Sequence, residues 1–545
     1  MIRDLDRLTA SAFDVLVVGG GICGLTIAYD AAQRGLSVAL VERDDFGSGA
    51  SFNHLRTIHG GLRYLQKLDL PRARESVRER RTLARIAPHS VRPLPFALPV
   101  YRSILHGKLV MRGGFLVDRL AAADRNRGVQ PALRLPAGRV IGRTAAVQRF
   151  PGLRRQRLTG AAVFYDYVTP ESDRLTFSFA LAAARNGAAL ANHVEAIAPL
   201  TGPADGRRIV GVRARDAVGG REIEIRASVT INATGSAIDR LIEPLGLSSG
   251  IPMLKALNLV TRRDAGDEAL GGRSTLGRHL FLVPWREHAI FGTWESERPA
   301  AREELADDSR DITAFIGELN QAFPALDLTP ADITLVHRGI VPASVGGSRV
   351  SLASADRILD HSQDGVQGIV TVSTVKYTTA RAVAERVTTK VLSRLGRPAV
   401  PCRTASTSLP GGSLRDVGLA IGEARREHDE GLPSDTIPHL IAAYGSNYRD
   451  VLELAAKRPE WRTRLAADSP VIGAQLVHAV RSEMATTLAD AVIRRTPLGA
   501  LGHPGEAALE RAASIVAAEL KWSEERRRSE IAAVNTFYAS VSVRT

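Results

Sequence analysis

The stretch that decides the fold is Phe13-Asp14-Val15-Leu16-Val17-Val18-Gly19-Gly20-Gly21-Ile22-Cys23-Gly24. Its short apolar run, rich in β-branched residues, predicts a buried parallel strand. Gly19, Gly21 and Gly24 follow in G-x-G-x-x-G spacing, and a helical pattern then runs from about Leu25 to Arg34. The first glycine permits a tight turn, the second lets the backbone approach a pyrophosphate, and the third lets the helix pack closely on the strand.

A second predicted strand, Ser37 to Glu42, follows the helix. The carboxylate of Glu42 can accept hydrogen bonds from ribose hydroxyls, and it would repel a 2′-phosphate. The N–H groups at the start of the helix would face the phosphates. Strand, glycines, helix, strand and acid together predict a dinucleotide-binding unit; the alternative is a glycine-rich turn beside a solvated glutamate. These residues alone do not distinguish FAD from NAD.

The composition is that of a globular protein with two or three structural units, since the chain has 545 residues. Lys and Arg total 72 against 58 Asp and Glu, a net charge of +14, which favours anionic partners. The sequence has no zinc-ligand spacing and no basic run interleaved with aromatics, so we expect no metal and no nucleic acid. Two cysteines, Cys23 and Cys402, are too few for a disulfide framework and suit a reducing cytoplasm.

Later segments extend the pattern to an α/β (α+β overall) fold. A helix is predicted over Leu175 to Asn186, a buried strand over Val229 to Ala233, and alternating antiparallel strands between about 250 and 345. A helix returns at Thr379. Beyond about residue 406 nearly every segment is helix-compatible, which predicts a helical C-terminal domain over 406–545.

The segment Ser51 to Leu65, with Ile-His-Gly-Gly-Leu-Arg-Tyr-Leu at its end, resembles the corresponding segment of FAD-dependent, quinone-linked glycerol-3-phosphate dehydrogenases. The matches continue in family order and cover about 2 to 500. The supporting motifs are Tyr165-Asp166, Asn232-Ala233-Thr234-Gly235, Val283-Pro284-Trp285, Gly292-Thr293, Lys376-Tyr377-Thr378-Thr379-Ala380-Arg381 and Leu409-Pro410-Gly411-Gly412.

The resemblance implies a division of the chain into domains. An FAD-dependent oxidoreductase region over 1–405 would precede the helical domain over 406–545. Within it we expect a discontinuous, Rossmann-like FAD domain and an inserted antiparallel substrate domain. Their expected bounds are about 1–100, 155–245 and 345–405 for the first, and mainly 246–344 for the second.

The resemblance also implies the active-site residues. Arg63 matches the family's phosphate-binding arginine, whose planar fork suits bidentate recognition, and Lys376 matches its active-site lysine. His59 is a third catalytic candidate, although a histidine between Ile58 and Gly60 favours a structural role facing the flavin. The expected substrate-binding residues are Arg63, Tyr64, Asn258, Arg338 and Lys376.

A larger set is expected to hold the cofactor. Thr378 and Thr379 open a helix whose N-terminus would stabilise negative charge on the reduced flavin. The expected FAD contacts are Gly19, Gly21, Gly24, Glu42, Ser51, Asn53, Arg56, His59, Gly60, Gly61, Val194, Gly235, Thr378 and Thr379.

Three positions depart from the family pattern. Val341 stands where the family has the arginine of Gly-x-Arg-Pro, with Arg338 three residues earlier. Asn258 stands where the family has a histidine, and Thr374-Val375 replaces a glycine pair before Lys376. The expected reaction is therefore oxidation of glycerol 3-phosphate or a related hydroxylated metabolite. An amine or amino-acid oxidase, or a flavin-binding protein without dehydrogenase activity, stays open.

The expected partners are an anionic small-molecule substrate, a quinone as electron acceptor, and a membrane surface, with a homodimer left open. Val15 to Tyr29 is too short and too glycine-rich to span a bilayer, so membrane contact would be peripheral. The basic stretch Arg72 to Arg85 is the candidate surface, and a solvated helix face is the alternative for this segment. The expected location is the cytoplasm, at the inner face of the cell membrane if it binds there.

Overall fold

The computed structural model describes residues 1–65, 69–102, 107–150, 154–203, 206–301, 309–346, 349–428 and 431–541. Its strands are β1 Phe13–Val18, β2 Val38–Val41, β3 Thr57–Ile58, β4 Arg92–Tyr101, β5 Arg139–Gly142, β6 Leu158–Val168, β7 Ala189–Ala191, β8 Val194–Thr201, β9 Ile209–Asp216, β10 Glu222–Asn232, β11 Met253–Thr261, β12 Ala269–Arg273, β13 His279–Trp285, β14 His288–Glu295, β15 Ile333–Gly346, β16 Arg349–Leu352, β17 Arg357–Asp360 and β18 Ile369–Ser373.

The helices alternate with these strands and then dominate the C-terminal part. They are α1 Leu5–Ala10, α2 Ile22–Gln33, α3 Leu62–Leu65, α4 Leu70–Ile86, α5 Lys108–Ala121, α6 Arg143–Arg149, α7 Ser172–Arg185, α8 Ile238–Ile242, α9 Ser309–Ala322, α10 Ala380–Arg394, α11 Val417–His428, α12 Thr436–Tyr444, α13 Tyr448–Ala455, α14 Gly473–Glu483, α15 Glu506–Leu520 and α16 Glu524–Val541.

The first sheet has the order β17-β18-β10-β1-β2-β7, and β9 and β8 extend from β10. Its central strands β18, β10, β1, β2 and β7 run parallel. Five of the six residues of β1 are buried, because helices cover the sheet, and Asp14 is the partly exposed one. The predicted strand, helix and strand at the N-terminus are confirmed. Helix α2 starts three residues earlier than predicted, directly after Gly21.

The second sheet has the order β16-β15-β11-β14-β13-β12-β4-β6-β3, with β5 beside β6. All its pairings are antiparallel except that of β12 with β4. The predicted antiparallel strands between 250 and 345 are therefore confirmed. The sheet also takes in β3, β4 and β6, from within residues 57–168, which lie outside the predicted core of the substrate domain.

Helices α11 to α14 enclose a core of their own, and α14 to α16 share a second core with β11, β13 and β15. This confirms the predicted fold class, an FAD-binding α/β architecture with an antiparallel sheet and C-terminal helices. The division into domains stays a prediction. Among the described residues, no helix combines the length and the apolar content that crossing a bilayer requires.

Buried charges attach the C-terminal helices to the first sheet. Arg174 in α7 donates to both carboxylate oxygens of Glu483 in α14, at 2.5 and 2.7 Å. Asp45, just after β2, accepts from Arg495 at 2.8 Å, and the ring of His193 lies 3.0 Å from Asp490. Because each buried ion has an opposite charge in contact, these links hold the two parts in one arrangement.

Candidate active site

The carboxyl ends of β1, β2 and β10 meet at one edge of the first sheet because these strands run parallel. A groove opens at this edge, and Gly19, Glu42, Val194 and Thr234 contribute to its lining. The carboxyl edge of a doubly wound sheet is where ligands bind in such folds. The structure thus brings together three of the predicted cofactor residues, one from each of three separate stretches of the chain. Gly235 follows directly after Thr234.

The three fingerprint glycines are needed for different reasons. Gly19 has φ +108°, and a Cβ there would lie 2.5 Å from the carbonyl oxygen of Ala233. A Cβ on Gly24 would lie 1.9 Å from the carbonyl oxygen of Gly19, so this glycine lets α2 pack on the turn. A Cβ on Gly21 would meet only Ser51 Oγ, at 3.3 Å. Gly21 therefore leaves open space in front of the N-terminus of α2.

The side chains of Glu42 and Ser51 lie beside Gly19, Gly21 and Gly24, and these five residues form what we call the cofactor cradle. Glu42 accepts hydrogen bonds from the N–H groups of Gly20 at 2.6 Å and Asp44 at 2.9 Å. Burial raises the pKa of its carboxyl, against the effect of these two donors. Ser51 Oγ accepts from the N–H of Ile22 at 2.9 Å. Val194 is fixed beside Glu42, since its N–H donates to the Glu42 carbonyl at 2.7 Å. The open space at Gly21, the helix N-terminus and the carboxylate fit the pyrophosphate and ribose of a dinucleotide.

A second group of residues, which we call the lysine cluster, consists of Lys376, His59, Tyr64 and Ser76. Lys376 Nζ donates to the carbonyl oxygen of His59 at 3.2 Å and to Ser76 Oγ at 2.8 Å. The same nitrogen lies 5.2 Å from the centroid of the Tyr64 ring, in cation–π contact. Lys376, predicted from one motif, is therefore a neighbour of His59 and Tyr64, predicted from another. Ser76 was not predicted.

The His59 side chain is 42% exposed but both ring nitrogens face protein atoms. Nε2 lies 2.5 Å from Thr57 Oγ1, and Nδ1 lies 3.5 Å from the Asp166 carboxylate. The backbone N–H of His59 donates to Thr378 Oγ1 at 3.1 Å. Burial tends to raise the pKa of Asp166, but the charge of Arg80 and the contact with His59 hold that pKa below its usual value. This arrangement favours the structural role for His59.

The two glycines after His59 allow close packing. The N–H of Gly60 donates to Asp166 at 2.7 Å, and a Cβ there would lie 2.2 Å from Arg80 Nη1. Gly61 has φ +82°, and its Cβ would lie 2.8 Å from the Cβ of Ser76. The chain then enters α3, which includes Arg63. The side chain of Arg63 lies outside the described residues, so its predicted role stays a prediction.

The turn after β18 brings the cofactor cradle and the lysine cluster together. Tyr377–Thr379 form a 3-10 turn that leads into α10, and Thr378 and Thr379 are buried. The side chain of Thr374, in the same turn, bonds the thiol of Cys23 at the start of α2. Burial raises the pKa of that thiol to about 12, so Cys23 stays protonated. The segment after β18 therefore lies beside the start of α2.

Arg56 lies behind this site, with its guanidinium fully buried. It bonds the side chains of Ser172 and Asp173, and its guanidinium lies 4.0 Å from the centroid of Trp285. It therefore does not line the groove at the sheet edge. Asn53 stands in the same loop, and its amide nitrogen donates to the carbonyl of Gly49 at 3.3 Å.

Asn258 and Arg338 are occupied by protein contacts. Asn258 is buried, donates to the Asn53 carbonyl at 3.3 Å and accepts from Thr293 Oγ1 at 2.9 Å. Arg338 donates to the carbonyl of Ser540 in α16. None of these three bonds is to the lysine cluster. The bond to Ser540 gives no support for Arg338 as a replacement for the arginine absent at Val341.

Known proteins similar to this chain were found by sequence and by structure. Residues 14–389 match the family described as FAD dependent oxidoreductase, and residues 402–527 match the family described as the C-terminal domain of alpha-glycerophosphate oxidase. Each match covers one of the two regions described above, with the fingerprint inside the first.

The curated relatives include the glycerol-3-phosphate dehydrogenase of Synechocystis, 30% identical over 97% of this chain and 97% of that protein. The enzyme of Mycobacterium leprae is 32% identical over 97% of this chain and 88% of its own length. The human mitochondrial glycerol-3-phosphate dehydrogenase is 32% identical over 98% of this chain and 75% of its own length.

Among solved structures, the glycerol-3-phosphate dehydrogenase from Bacillus halodurans complexed with FAD has the same fold. Its TM-score is 0.78 at 24% identity, over 98% of this chain and 96% of that one. The L-proline dehydrogenase from P. horikoshii has a TM-score of 0.51 at 19% identity, over 72% of this chain and 96% of that one. The full-length match includes the C-terminal helices.

Proposed function

Because this chain belongs to the family of FAD-dependent glycerol-3-phosphate dehydrogenases, we propose that it binds FAD and oxidises the secondary alcohol of glycerol 3-phosphate. The observation that carries the proposal is the Lys376 ammonium group, held where the His59 turn meets the N-terminus of α10. The site would also accept related secondary alcohols that carry another anionic group in place of the phosphate.

The residues that would hold FAD follow from the cradle. The N-terminus of α2 and the space at Gly21 suit the pyrophosphate, Glu42 the ribose, and the groove beside Val194 the adenine. Bound FAD supplies the acceptor for the hydride that leaves the alcohol carbon. The N-terminus of α10, after Thr378 and Thr379, supplies partial positive charge to the same site.

The protein's own contribution is to bind and orient the substrate. Lys376 presents a positive charge to an anionic substrate or to the alcohol oxygen, and Arg63 is proposed to bind the phosphate. His59 holds the turn through Thr57 and Asp166 rather than accepting a proton. A carboxamide has no basic group, so Asn258 does not accept the hydroxyl proton either. Val341 adds an apolar wall, since it packs with β11 residues.

The test of this proposal is anaerobic mixing of the purified flavoprotein with glycerol 3-phosphate, followed by flavin absorbance. Bleaching is expected with glycerol 3-phosphate and not with glycerol. Lys376→Met should slow the bleaching while keeping FAD, and Lys390→Met, which removes a half-buried lysine of α10 that pairs with Asp360, is the matched control. Arg63→Ala should weaken turnover by roughly tenfold to a hundredfold through loss of a charge-assisted contact.

Two results would contradict the assignment. A flavin that stays oxidised with glycerol 3-phosphate but is reduced by an amine, with hydrogen peroxide formed in air, would identify an oxidase. A flavin that no metabolite reduces would identify a binding protein without dehydrogenase activity. Equal loss of FAD from Lys376→Met and Arg63→Ala would show that both positions hold structure and not substrate.

We further propose that the protein docks on an anionic membrane surface and passes electrons to a quinone there. Helix α4 offers little apolar surface for docking, because Val77, Leu83, Ala84 and Ile86 are buried. Helix α5 has the opposite arrangement: Phe115 is its only buried residue. Its large apolar residues that face solvent are Leu109, Val110, Leu116, Val117 and Leu120.

The charge next to this apolar face matches an acidic lipid surface. Arg112 and Arg119 of α5 are exposed, and Lys108 starts the helix. An amphipathic helix with this composition lies in the plane of a bilayer interface, and each nearby basic residue contributes about 1 kcal/mol on an anionic leaflet. A homodimer that buries the same face is the competing arrangement, and a patch of this kind on a monomer marks an interaction site in either case.

Co-sedimentation with anionic liposomes separates the two arrangements. Leu116→Asp should reduce binding, and Leu419→Asp, which changes an exposed leucine of α11, should not. The wild-type protein should bind less at high salt, because the attraction is screened over about 10 Å at 0.1 M. A protein that stays in the supernatant at low salt and becomes monomeric on Leu116→Asp would assign the face to a dimer.

A further inference from the structure

Ser76 is a buried residue of α4, a helix that contributes none of the predicted cofactor contacts. Its Oγ nevertheless accepts a hydrogen bond from Lys376 Nζ at 2.8 Å, shorter than the 3.2 Å from the same nitrogen to the His59 carbonyl. We propose that Ser76 is a positioning residue, whose hydroxyl fixes the direction of the Lys376 ammonium group in the active site. The inference rests on the proposed function for its effect on rate.

Packing explains why residue 76 is small. The turn after His59 approaches α4 so closely that a Cβ on Gly61 would lie 2.8 Å from the Cβ of Ser76. The neighbouring residue on the same helix face is Ala73, which is 1% exposed and packs with Tyr64. A side chain larger than serine would push the turn away, because interiors are close-packed.

Packing does not explain why residue 76 is polar. Alanine has the same shape up to Cβ and would satisfy the contact with Gly61. A buried hydroxyl without a partner is destabilising, so a serine at a 1% exposed position needs a bonded group. The Lys376 ammonium group is such a partner, and it reaches Ser76 from β18 and its following turn, 300 residues away in the chain.

The contacts act together on a flexible side chain. A lysine has a four-carbon stem and many rotamers, so its charge occupies one place only if several groups hold it. The His59 carbonyl, Ser76 Oγ and the face of Tyr64 all contact Nζ. Without Ser76 the shortest of these contacts is lost, and the ammonium group should sample more orientations toward the substrate.

A double-mutant cycle measures this coupling through the reaction. Ser76→Ala should lower the rate constant of flavin reduction by glycerol 3-phosphate about tenfold. In the Lys376→Met background the same change should have no further effect, since the group that Ser76 positions is gone. Thr82→Ala, which removes another buried hydroxyl of α4, should leave the rate unchanged. Equal losses from Ser76→Ala in both backgrounds would overturn the inference.

A second measurement does not depend on the substrate. The FAD-bound protein is treated with limiting acetic anhydride, and acetylation of each lysine is followed by peptide mass spectrometry. Lys376 should react several-fold faster in Ser76→Ala than in the wild type, because a hydrogen-bonded ammonium group deprotonates less readily. Lys390 is the internal control.

The two measurements separate a failure of the proposed function from a failure of the proposed role of Ser76. If glycerol 3-phosphate does not reduce the flavin, the proposed function fails, and the acetylation rates still decide the role of Ser76. If Lys376 is acetylated at the same rate in Ser76→Ala and in the wild type, the hydroxyl does not hold the ammonium group, whatever the substrate.

Discussion

Alanine at Gly24 is expected to destabilise the fold, whereas alanine at Gly21 is expected to weaken FAD binding. A Cβ on Gly24 would lie 1.9 Å from the Gly19 carbonyl oxygen and 3.2 Å from Val17 Cγ1. Since non-bonded atoms settle at about 3.5 Å, α2 would have to move away from the turn by roughly 1.5 Å. A Cβ on Gly21 meets only Ser51 Oγ, at 3.3 Å. Gly21 also has an ordinary φ of −72°, so alanine brings no backbone strain.

These distances set the expected magnitudes. Overpacking at Gly24 should lower the free energy of unfolding by about 1–3 kcal/mol or more. Alanine at Gly21, the N-cap of α2, should lower it by about 1 kcal/mol or less, because glycine there makes no side-chain cap. Its methyl group would instead occupy the space in front of the helix N-terminus. Losing one charge-assisted bond to the pyrophosphate should weaken FAD binding by roughly tenfold to a hundredfold.

Urea unfolding of the FAD-free proteins and fluorescence titration with FAD measure the two quantities separately. Gly24→Ala should shift the unfolding midpoint, and Gly21→Ala should shift mainly the FAD affinity. A larger valine at Gly21 should abolish binding. The reasoning is refuted if Gly21→Val is purified yellow with a full complement of FAD, or if Gly21→Ala unfolds as easily as Gly24→Ala and still binds FAD normally.

Three further predictions concern charged residues outside the cradle. Arg174→Met should lower the free energy of unfolding by about 3–5 kcal/mol in urea titrations, because it removes the arginine that bonds both oxygens of buried Glu483 and leaves His478, 3.3 Å away; Arg174→Met with Glu483→Leu should recover much of that loss. Although burial opposes it, the bond to Asp490 raises the pKa of His193, so its stabilisation is complete below about pH 6.5 and is lost as pH rises through the folded value. His193→Gln should therefore lower the unfolding midpoint more at pH 6 than at pH 9. Arg338→Ala should leave the KM for glycerol 3-phosphate unchanged, because its guanidinium is bonded to α16.

The sequence predicts the cofactor half of the site well because its determinants are local. The fingerprint glycines, the strand before them and Glu42 lie within 30 residues, and the contacts of Gly24 with Gly19 and of Glu42 with Gly20 lie inside this stretch. A steric requirement such as that of Gly24 is expressed as a fixed residue type at a fixed spacing. The same holds for the turn at Gly60 and Gly61, which allows the chain to pass close to α4.

The sequence does not predict contacts that depend on the packing of distant helices. Ser76 carries no signal of its partner Lys376, and a serine in a basic helix is expected on the surface. Helix α5 is the opposite case, in which apolar residues are exposed. Phe115 is the one buried residue of this helix, although five large apolar residues along it face solvent. Whether an apolar face is covered depends on the tertiary arrangement, which no local pattern encodes.

Arg56 is a buried residue that lies between the two halves of the site in the chain. Its φ of +56° is unusual for a residue with a side chain, and such a conformation persists only where surrounding contacts fix it. The contacts are present: the guanidinium is buried over Trp285 and bonds Ser172 and Asp173. The residues on either side of Arg56 belong to the two halves of the site, with Ser51 at the N-terminus of α2 and His59 beside Lys376. The buried arginine therefore anchors the segment that joins Ser51 to His59, and with it the link between the cofactor cradle and the lysine cluster.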